Sequence, residues 1–323
     1  MKKFILKTFL YIIAILLALE ITVRVFHLYT EDPPRYIDEY GVEKRVPRNN
    51  GIAVYGNRNQ AYSEFDINNA GFNSFRDFLP SYEKFELAIT GDSFIEGFHQ
   101  NYQNSIGKKI ENNIPSIEAY EYGYAGYDLA NQLHLIHSYK KDFDKIDEII
   151  VYLNYENDLK RGVYTPNYER IKMLKSPLFK MRDQIKLLAY GSKIGVLEPI
   201  KKFVSGKAFQ DKEEGYKTNE IENSDLAKEK DQLYLQNFKS LIKHYGFDKT
   251  KTVLLLDSRK TSKAFLDYCA REGIAYLDFS EKFKNSKKAT TLIYDWHWND
   301  HGRSLISETI SEYILAKYPS MKQ

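Results

Sequence analysis

A chain of 323 residues is long enough for one large hydrophobic core, or a core with a smaller appendage. Its 43% hydrophobic and 28% charged residues are the proportions of a folded protein and exclude global disorder. A formal charge of +3 is too small to argue for a nucleic-acid partner, and zinc-finger spacing, a recognition-helix signature and a Walker A motif are all missing.

The N-terminus carries the first readable element. Lys2, Lys3 and Lys7 precede an apolar run from Thr8 to Leu19, followed by Glu20 and then Ile21-Thr22-Val23-Arg24-Val25-Phe26. A spanning helix needs about 20 apolar residues. The stretch from Phe4 to Phe26 is long enough if Lys7 and Arg24 snorkel to the two interfaces, with Glu20 paired to Arg24 one helical turn away. The expectation is a membrane anchor over residues 1–27, with the lysines cytoplasmic and the body outside. A cleaved signal peptide is the main rival, but no small-x-small site follows the run. A buried amphipathic helix is the other, and Phe9–Leu19 lacks the polar face it would need.

Residues 28–80 are rich in Pro, Asn, Gly and Tyr without a helical period, and stretches such as Tyr62-Ser63-Glu64-Phe65-Asp66-Ile67 predict one or two strands. This segment reads as an extension packed on the main domain, which runs over 81–323. From residue 84 the pattern becomes strand, loop, helix. Strands are predicted at 85–89, 118–122, 149–153, 252–256 and 274–277, several of them continuously apolar and hence covered on both faces. Helical spacing appears in Leu129, Leu133 and Ile136, in Leu235, Phe238, Leu241 and Ile242, and in Leu305, Ile306, Ile310, Tyr313 and Ile314 before Pro319. Alternating strands and helices predict a doubly wound α/β fold with a parallel five-stranded sheet. Residues 160–228 form an insertion too long for an ordinary connection. Between Arg170 and Lys207 it holds ten Lys or Arg against two acids, interleaved with apolar residues. A cap over the core domain is the favoured reading, and a basic hairpin on an anionic membrane surface the alternative. Residues 210–230 read as an exposed linker. The one cysteine, Cys269, excludes an intramolecular disulfide and lies in a pattern that reads as the buried face of a helix.

In an open parallel sheet, ligands bind beyond the carboxyl ends of the strands, so the informative residues are those that follow each strand. These are Thr90-Gly91-Asp92-Ser93-Phe94, Gly123-Tyr124-Ala125-Gly126-Tyr127 and Asn154-Tyr155-Glu156-Asn157-Asp158. Before the last helix comes Asp295-Trp296-His297-Trp298-Asn299-Asp300-His301. Four polar or glycine-rich loops therefore land on one edge of the sheet.

In order and separation these segments resemble the conserved blocks of the SGNH (GDSL-type) hydrolase superfamily, over roughly residues 84–318 apart from the insertion. The resemblance implies a flavodoxin-like sheet with Ser93 as nucleophile, His297 as general base and Asp295 as its orienting acid. It also implies an oxyanion hole made by the Ser93 N–H, Gly126 and Asn157. The chemistry suits these residue types. A serine hydroxyl needs an imidazole to take its proton, a glycine lets its N–H approach unobstructed, and an Asn amide is an uncharged donor. Three departures stand out. Block one reads Gly-Asp-Ser-Phe rather than Gly-Asp-Ser-Leu, Tyr155-Glu156 replaces the glycine expected before Asn157, and Asp295 and His297 are two apart where many members have three. The closest matching pattern, Asp-x-His-Trp/Leu-Asn, occurs in exported relatives. Asn68-Asn69-Ala70-Gly71-Phe72 also resembles the Asn-x-x-Gly-Phe element of anchored members, with Asn73 in place of the usual Arg.

Competing assignments exist for several residues. His301 competes with His297 and Asp300 with Asp295, and the motif order favours the pair at 295 and 297. Asp92 reads as a brace for its loop, Glu96 and His99 as candidates for the pocket rim. His134 and His137 lie one turn apart with no third ligand, so neither a metal nor another cofactor is expected. The resemblance implies an extracytoplasmic, membrane-anchored serine esterase removing short acyl groups from an envelope or extracellular polysaccharide. The partners expected are an acylated carbohydrate or small ester and, through the N-terminal helix, the membrane. Two rivals share the sequence: an O-acyltransferase using the same residues on a glycan, and a non-catalytic envelope-binding protein.

Overall fold

Five segments become the strands of one parallel sheet: β5 (Phe85–Gly91), β6 (Ile117–Gly123), β7 (Glu148–Tyr152), β8 (Thr252–Leu256) and β9 (Tyr276–Asp278). Their order is β6-β5-β7-β8-β9, the 2-1-3-4-5 arrangement of flavodoxin-like sheets. The computed structural model describes residues 1–56, 59–196 and 224–322, and chain contacts gather them into two units.

The larger unit comprises residues 33–51, 63–167 and 224–322 and contains the sheet. Alternate residues of each strand feed two hydrophobic clusters, one on each face. Leu87, Ile89, Ile150, Val253 and Leu255 face α3 (Ile106–Asn113) and the last helix, α13 (Asp300–Lys317). Ala88, Ile149, Val151, Leu254 and Leu256 face α4 (Leu129–Ser138), α10 (Ser224–Tyr245) and α11 (Lys263–Glu272). Covering both faces with helices is what makes β7 and β8 read as nearly continuous apolar runs. Buried Cys269 belongs to α11, inside the second cluster.

Local chemistry fixes the element ends. Asp128 and Asn131 form a reciprocal capping box at the start of α4. Gly273 ends α11 at φ +65°, and the Ile274 N–H closes back on Cys269 O at 2.9 Å. That Schellman-type closure consumes Ile274, so the last strand begins at Tyr276 rather than at 274 as the sequence predicts. Helix α10 is already formed at Ser224, inside the linker predicted to 230, because Ala227, Lys228, Glu229 and Lys230 are strong helix formers. The remainder of that predicted linker, 210–223, lies outside the described residues. Before the sheet, β1 (Arg35–Ile37) pairs antiparallel with β2 (Glu43–Arg45), and β3 (Asn50–Tyr55) with β4 (Ala61–Asp66) makes a second two-stranded sheet.

The smaller unit comprises residues 1–32, 52–56, 59–62 and 168–196. Its first helix, α1 (Lys2–Val25), has a mean hydropathy of 2.3 over its most apolar window, none of it buried, and is long and apolar enough to cross a membrane. Three further helices come from the insertion: α7 (Tyr168–Leu174), α8 (Pro177–Gln184) and α9 (Lys186–Lys193). Helix α9 has no side-chain cap from its own preceding residue, Ile185. Glu20 of α1 supplies one instead, accepting the Lys186 N–H at 3.0 Å and the Leu187 N–H at 2.7 Å. Arg24 bridges to Glu20 at 2.7 Å and donates to the Gln184 carbonyl at 2.7 Å.

Candidate active site

Strand β5 ends at Gly91, where a Cβ would come within 2.3 Å of Ile95 Cγ1, so the chain can turn sharply into the short helix α2 (Ser93–Glu96). Asp92 caps that turn by accepting the Phe94 N–H at 2.8 Å, which leaves Ser93 at its first position. The flanking strands in the sheet are β6 and β7. The loops that follow them therefore lie on either side of the Ser93 turn, at the carboxyl edge. One holds Gly126 at φ +94°, in a turn closed by Tyr127 N–H on Tyr124 O at 3.0 Å. The other is α6 (Tyr155–Asp158), where Lys160 Nζ donates to Asn157 Oδ1 at 3.0 Å. That bond takes up the carbonyl end of the Asn157 amide and leaves its NH₂ as the end that donates.

The fourth loop is folded by its own residues. Leu292 N–H bonds to His297 O at 2.9 Å, and Asn299 N–H to Thr290 O at 3.0 Å. The Asn299 side chain donates to Ala289 O and Thr291 O and accepts from Gly302 N–H at the start of α13. Trp298 is buried beneath the loop among Phe94, Tyr152 and Phe279. So held, His297 brings Nε2 to 2.7 Å from Ser93 Oγ and Nδ1 to 2.6 Å from Asp295 Oδ1. Three of the five residues singled out in the sequence thus form one hydrogen-bonded chain, and the other two sit on the loops beside it. Hydrogen bonds and charge from His297 outweigh burial and hold the Asp295 carboxyl below its usual range.

The competing residues go elsewhere. His301 Nε2 meets Ser286 Oγ at 2.9 Å, and Asp300 pairs with Lys109 at 2.7 Å. His134 and His137 each bond a backbone carbonyl, of Tyr40 and Tyr245.

Two features were barely legible in the sequence. The first is His99, whose Nε2 lies 3.3 Å from Asp295 Oδ2 and whose ring stacks on His297 at 3.9 Å and 22°. Burial, with help from neighbouring His297 and against the pull of Asp295, drives His99 down to about 3, so its ring is neutral. His99, Asp295 and His297 place ligand-type atoms within 4.8 Å of one another, but a cation there would displace the hydrogen bonds that both rings make to Asp295. The second is a buried ion pair behind the serine turn. Arg45, 1% exposed, donates from Nε and Nη2 to Glu96 Oε1 at 3.0 and 2.9 Å, and Glu96 Oε2 accepts the Ala125 N–H at 3.0 Å. No sequence pattern marked Arg45, because its partner lies 51 residues away.

No family model matches the sequence, and no curated relative does. Solved structures that are similar include a lipolytic G-D-S-L family member from Veillonella parvula, at 12% identity and TM-score 0.39 over 71% of this chain and 97% of that one. A lipase/acylhydrolase from Enterococcus faecalis is similar at 11% identity and TM-score 0.42 over 72% and 96%. A lipase from a goat rumen metagenome is similar at 15% and 0.34 over 71% and 96%. The chemistry rests instead on this chain's own geometry. The chain is an α/β protein of 2-1-3-4-5 sheet order that carries a hydrogen-bonded Ser–His–Asp chain at the carboxyl edge of its sheet.

Proposed function

We propose that this protein is a membrane-anchored serine ester hydrolase of the SGNH type. The observation that carries the reading is the chain from Ser93 Oγ through His297 to Asp295, with contacts of 2.7 and 2.6 Å. In the proposed reaction Ser93 Oγ attacks the ester carbonyl carbon while His297 Nε2 takes its proton. Asp295 holds the Nδ1–H tautomer and favours the imidazolium as it forms. The oxyanion is received by the backbone N–H groups of Ser93 and Gly126 and the Asn157 amide, each such donor being worth about 3–4 kcal/mol of barrier. Collapse expels the alcohol, which takes the proton back from His297, and leaves an acyl group on Ser93. Water, deprotonated by His297, then attacks the acyl carbon, and collapse breaks the bond to Ser93 Oγ, which takes the proton back from His297 as the carboxylic acid leaves.

The substrate we propose is a short acyl ester on an envelope or extracellular glycan. Support comes from the rim: Trp296 is 71% exposed and Ile293 fully exposed, on the same loop as Asp295 and His297. An exposed indole on the residue between Asp295 and His297 suits the apolar face of a sugar ring. The extracytoplasmic side is proposed from Lys2, Lys3 and Lys7 at the start of α1. Ser93→Ala tests the reading. Hydrolysis of a short-chain p-nitrophenyl ester should fall at least about a thousandfold in kcat, and activity that survives the change would refute it.

A further inference from the structure

Glu20 and Arg24 mark the level at which α1 stops being apolar, and both are bonded to the corner between α8 and α9. If α1 is the anchor, that corner lies at headgroup depth. Helix α8 presents Leu178 and Met181 one turn apart on one face, and Ile185 follows them at the corner. These side chains are 69%, 46% and 40% exposed. The polar flanks are basic: residues 168–196 carry seven Lys or Arg and two acids, with Lys172, Lys175 and Lys180 exposed. An apolar stripe rimmed by lysines and pinned to the end of an anchor is the composition of an interfacial helix. We propose that α8 and the start of α9 lie in the surface of the bilayer that α1 spans, the stripe among the upper acyl chains and the lysines against anionic headgroups. The inference rests on the anchor reading of α1.

Fluorescence quenching tests it on the full chain. Single cysteines replace Leu178, Ile185, Ile12 or, as a control on the sheet unit, Lys243, in a Cys269→Ala background, and each carries an environment-sensitive nitrobenzoxadiazole label. The protein is reconstituted into vesicles of phosphatidylcholine, alone or mixed with phosphatidylglycerol, that contain nitroxide-bearing lipids. Labels at 178 and 185 should shift to the blue and be quenched at least about twofold more than the label at 243, most strongly with phosphatidylglycerol. Lys175→Glu with Lys180→Glu should reduce that quenching. Quenching at 12 with none at 178 and 185 overturns the surface contact while leaving the anchor standing. No quenching at 12 overturns the anchor and the inference together. Equal quenching in both vesicle types overturns the anionic preference. A blue shift without quenching that grows with protein density gives the stripe to a second copy instead.

A separate observation, the His99–Asp295–His297 contact, carries a second inference, which rests on the proposed ester hydrolysis. The geometry points to His99 as a positioning residue that holds the second oxygen of Asp295, so that the first stays aligned on His297 Nδ1. A neutral His99 donates its Nε2–H to Oδ2, and its stacked ring limits rotation of His297. His99→Ala should lower kcat about ten- to a hundredfold, the range of one hydrogen bond to a charged group, with KM within about twofold. His99→Gln, which can return an N–H donor, should recover most of the loss, and His99→Phe, which keeps a ring but no donor, should not. Full activity in His99→Phe would overturn the role. Fluorophosphonate labelling of Ser93 in the wild type separates this outcome from failure of the hydrolase reading itself.

Discussion

Arg45 and Glu96 form an ion pair with side chains only 2% and 3% exposed, three residues beyond Ser93 and one hydrogen bond from the Gly126 turn. Removing one partner from such a pair strands a buried charge, at a cost of about 3–5 kcal/mol. Arg45→Met is therefore expected to lower the denaturation midpoint sharply. Arg45→Met with Glu96→Leu should regain much of the stability, yet leave the Ala125 N–H without its acceptor. A double variant that is stable but still slow in kcat would show that Glu96 aligns the oxyanion turn as well as supporting the fold. Denaturant titration and steady-state kinetics on the same samples check both halves.

Asp295→Asn keeps the shape of the loop but turns an N–H toward His297 Nδ1 or forces the other tautomer. Under the proposed mechanism kcat falls by about 10³–10⁴ while KM stays near its wild-type value. A loss in KM alone would show that Asp295 binds substrate rather than orienting the base.

Asp92 gives a pH signature. Burial pushes its carboxyl up to about 7, although the Phe94 N–H favours the charged form. The folded state therefore holds the proton more tightly than the unfolded chain, whose value is near 3.9. The stabilisation is complete below about pH 4 and is lost as pH rises through about 7, at no more than about 1.4 kcal/mol per pH unit for one proton. Buried Asp158 is raised as well, by burial and then by Asp92, and acts with the same sign. Asp92→Asn still accepts from Phe94 and should flatten part of that slope. Thermal midpoints of both proteins from pH 4 to 8 would reveal it, and parallel curves would refute it.

Trp296→Ala separates the glycan proposal from esterase activity in general. On an acetylated polysaccharide it should raise KM about tenfold or more, and on p-nitrophenyl acetate it should change kcat/KM by less than about twofold. Equal losses on both substrates would mean that the indole supports the loop rather than the sugar.

How far the sequence could be read depends on the range of each interaction. The central strands β7 and β8 were legible because burial on both faces leaves apolar runs, whereas β6, with Glu118 and Glu121, gave a weaker signal. The Ser93 turn was legible because each strand is followed at once by its loop. The ends were harder: Ile274 looks like strand until Gly273 is seen to close a helix on it. His99 gave almost no signal, because a histidine past a left-handed glycine has no pattern of its own. The Glu20–α9 cap joins residues 166 and 167 positions apart, beyond any local spacing rule. Gly123 hides a comparable constraint: a Cβ there would lie 1.9 Å from the Glu96 nitrogen, so β6 can abut the serine turn only with glycine at its end.

The span between Ser93 and His297, 204 residues, has a consequence for how the protein is made. A growing chain exposes its serine long before its imidazole, and the α1 segment is synthesised before either. Under the proposed mechanism the nascent polypeptide is chemically silent until translation is almost finished. A product truncated just ahead of Asp295 would keep all five strands and have no hydrolytic activity. Under the anchor reading of α1, insertion at the membrane can begin before the Ser–His–Asp chain is complete.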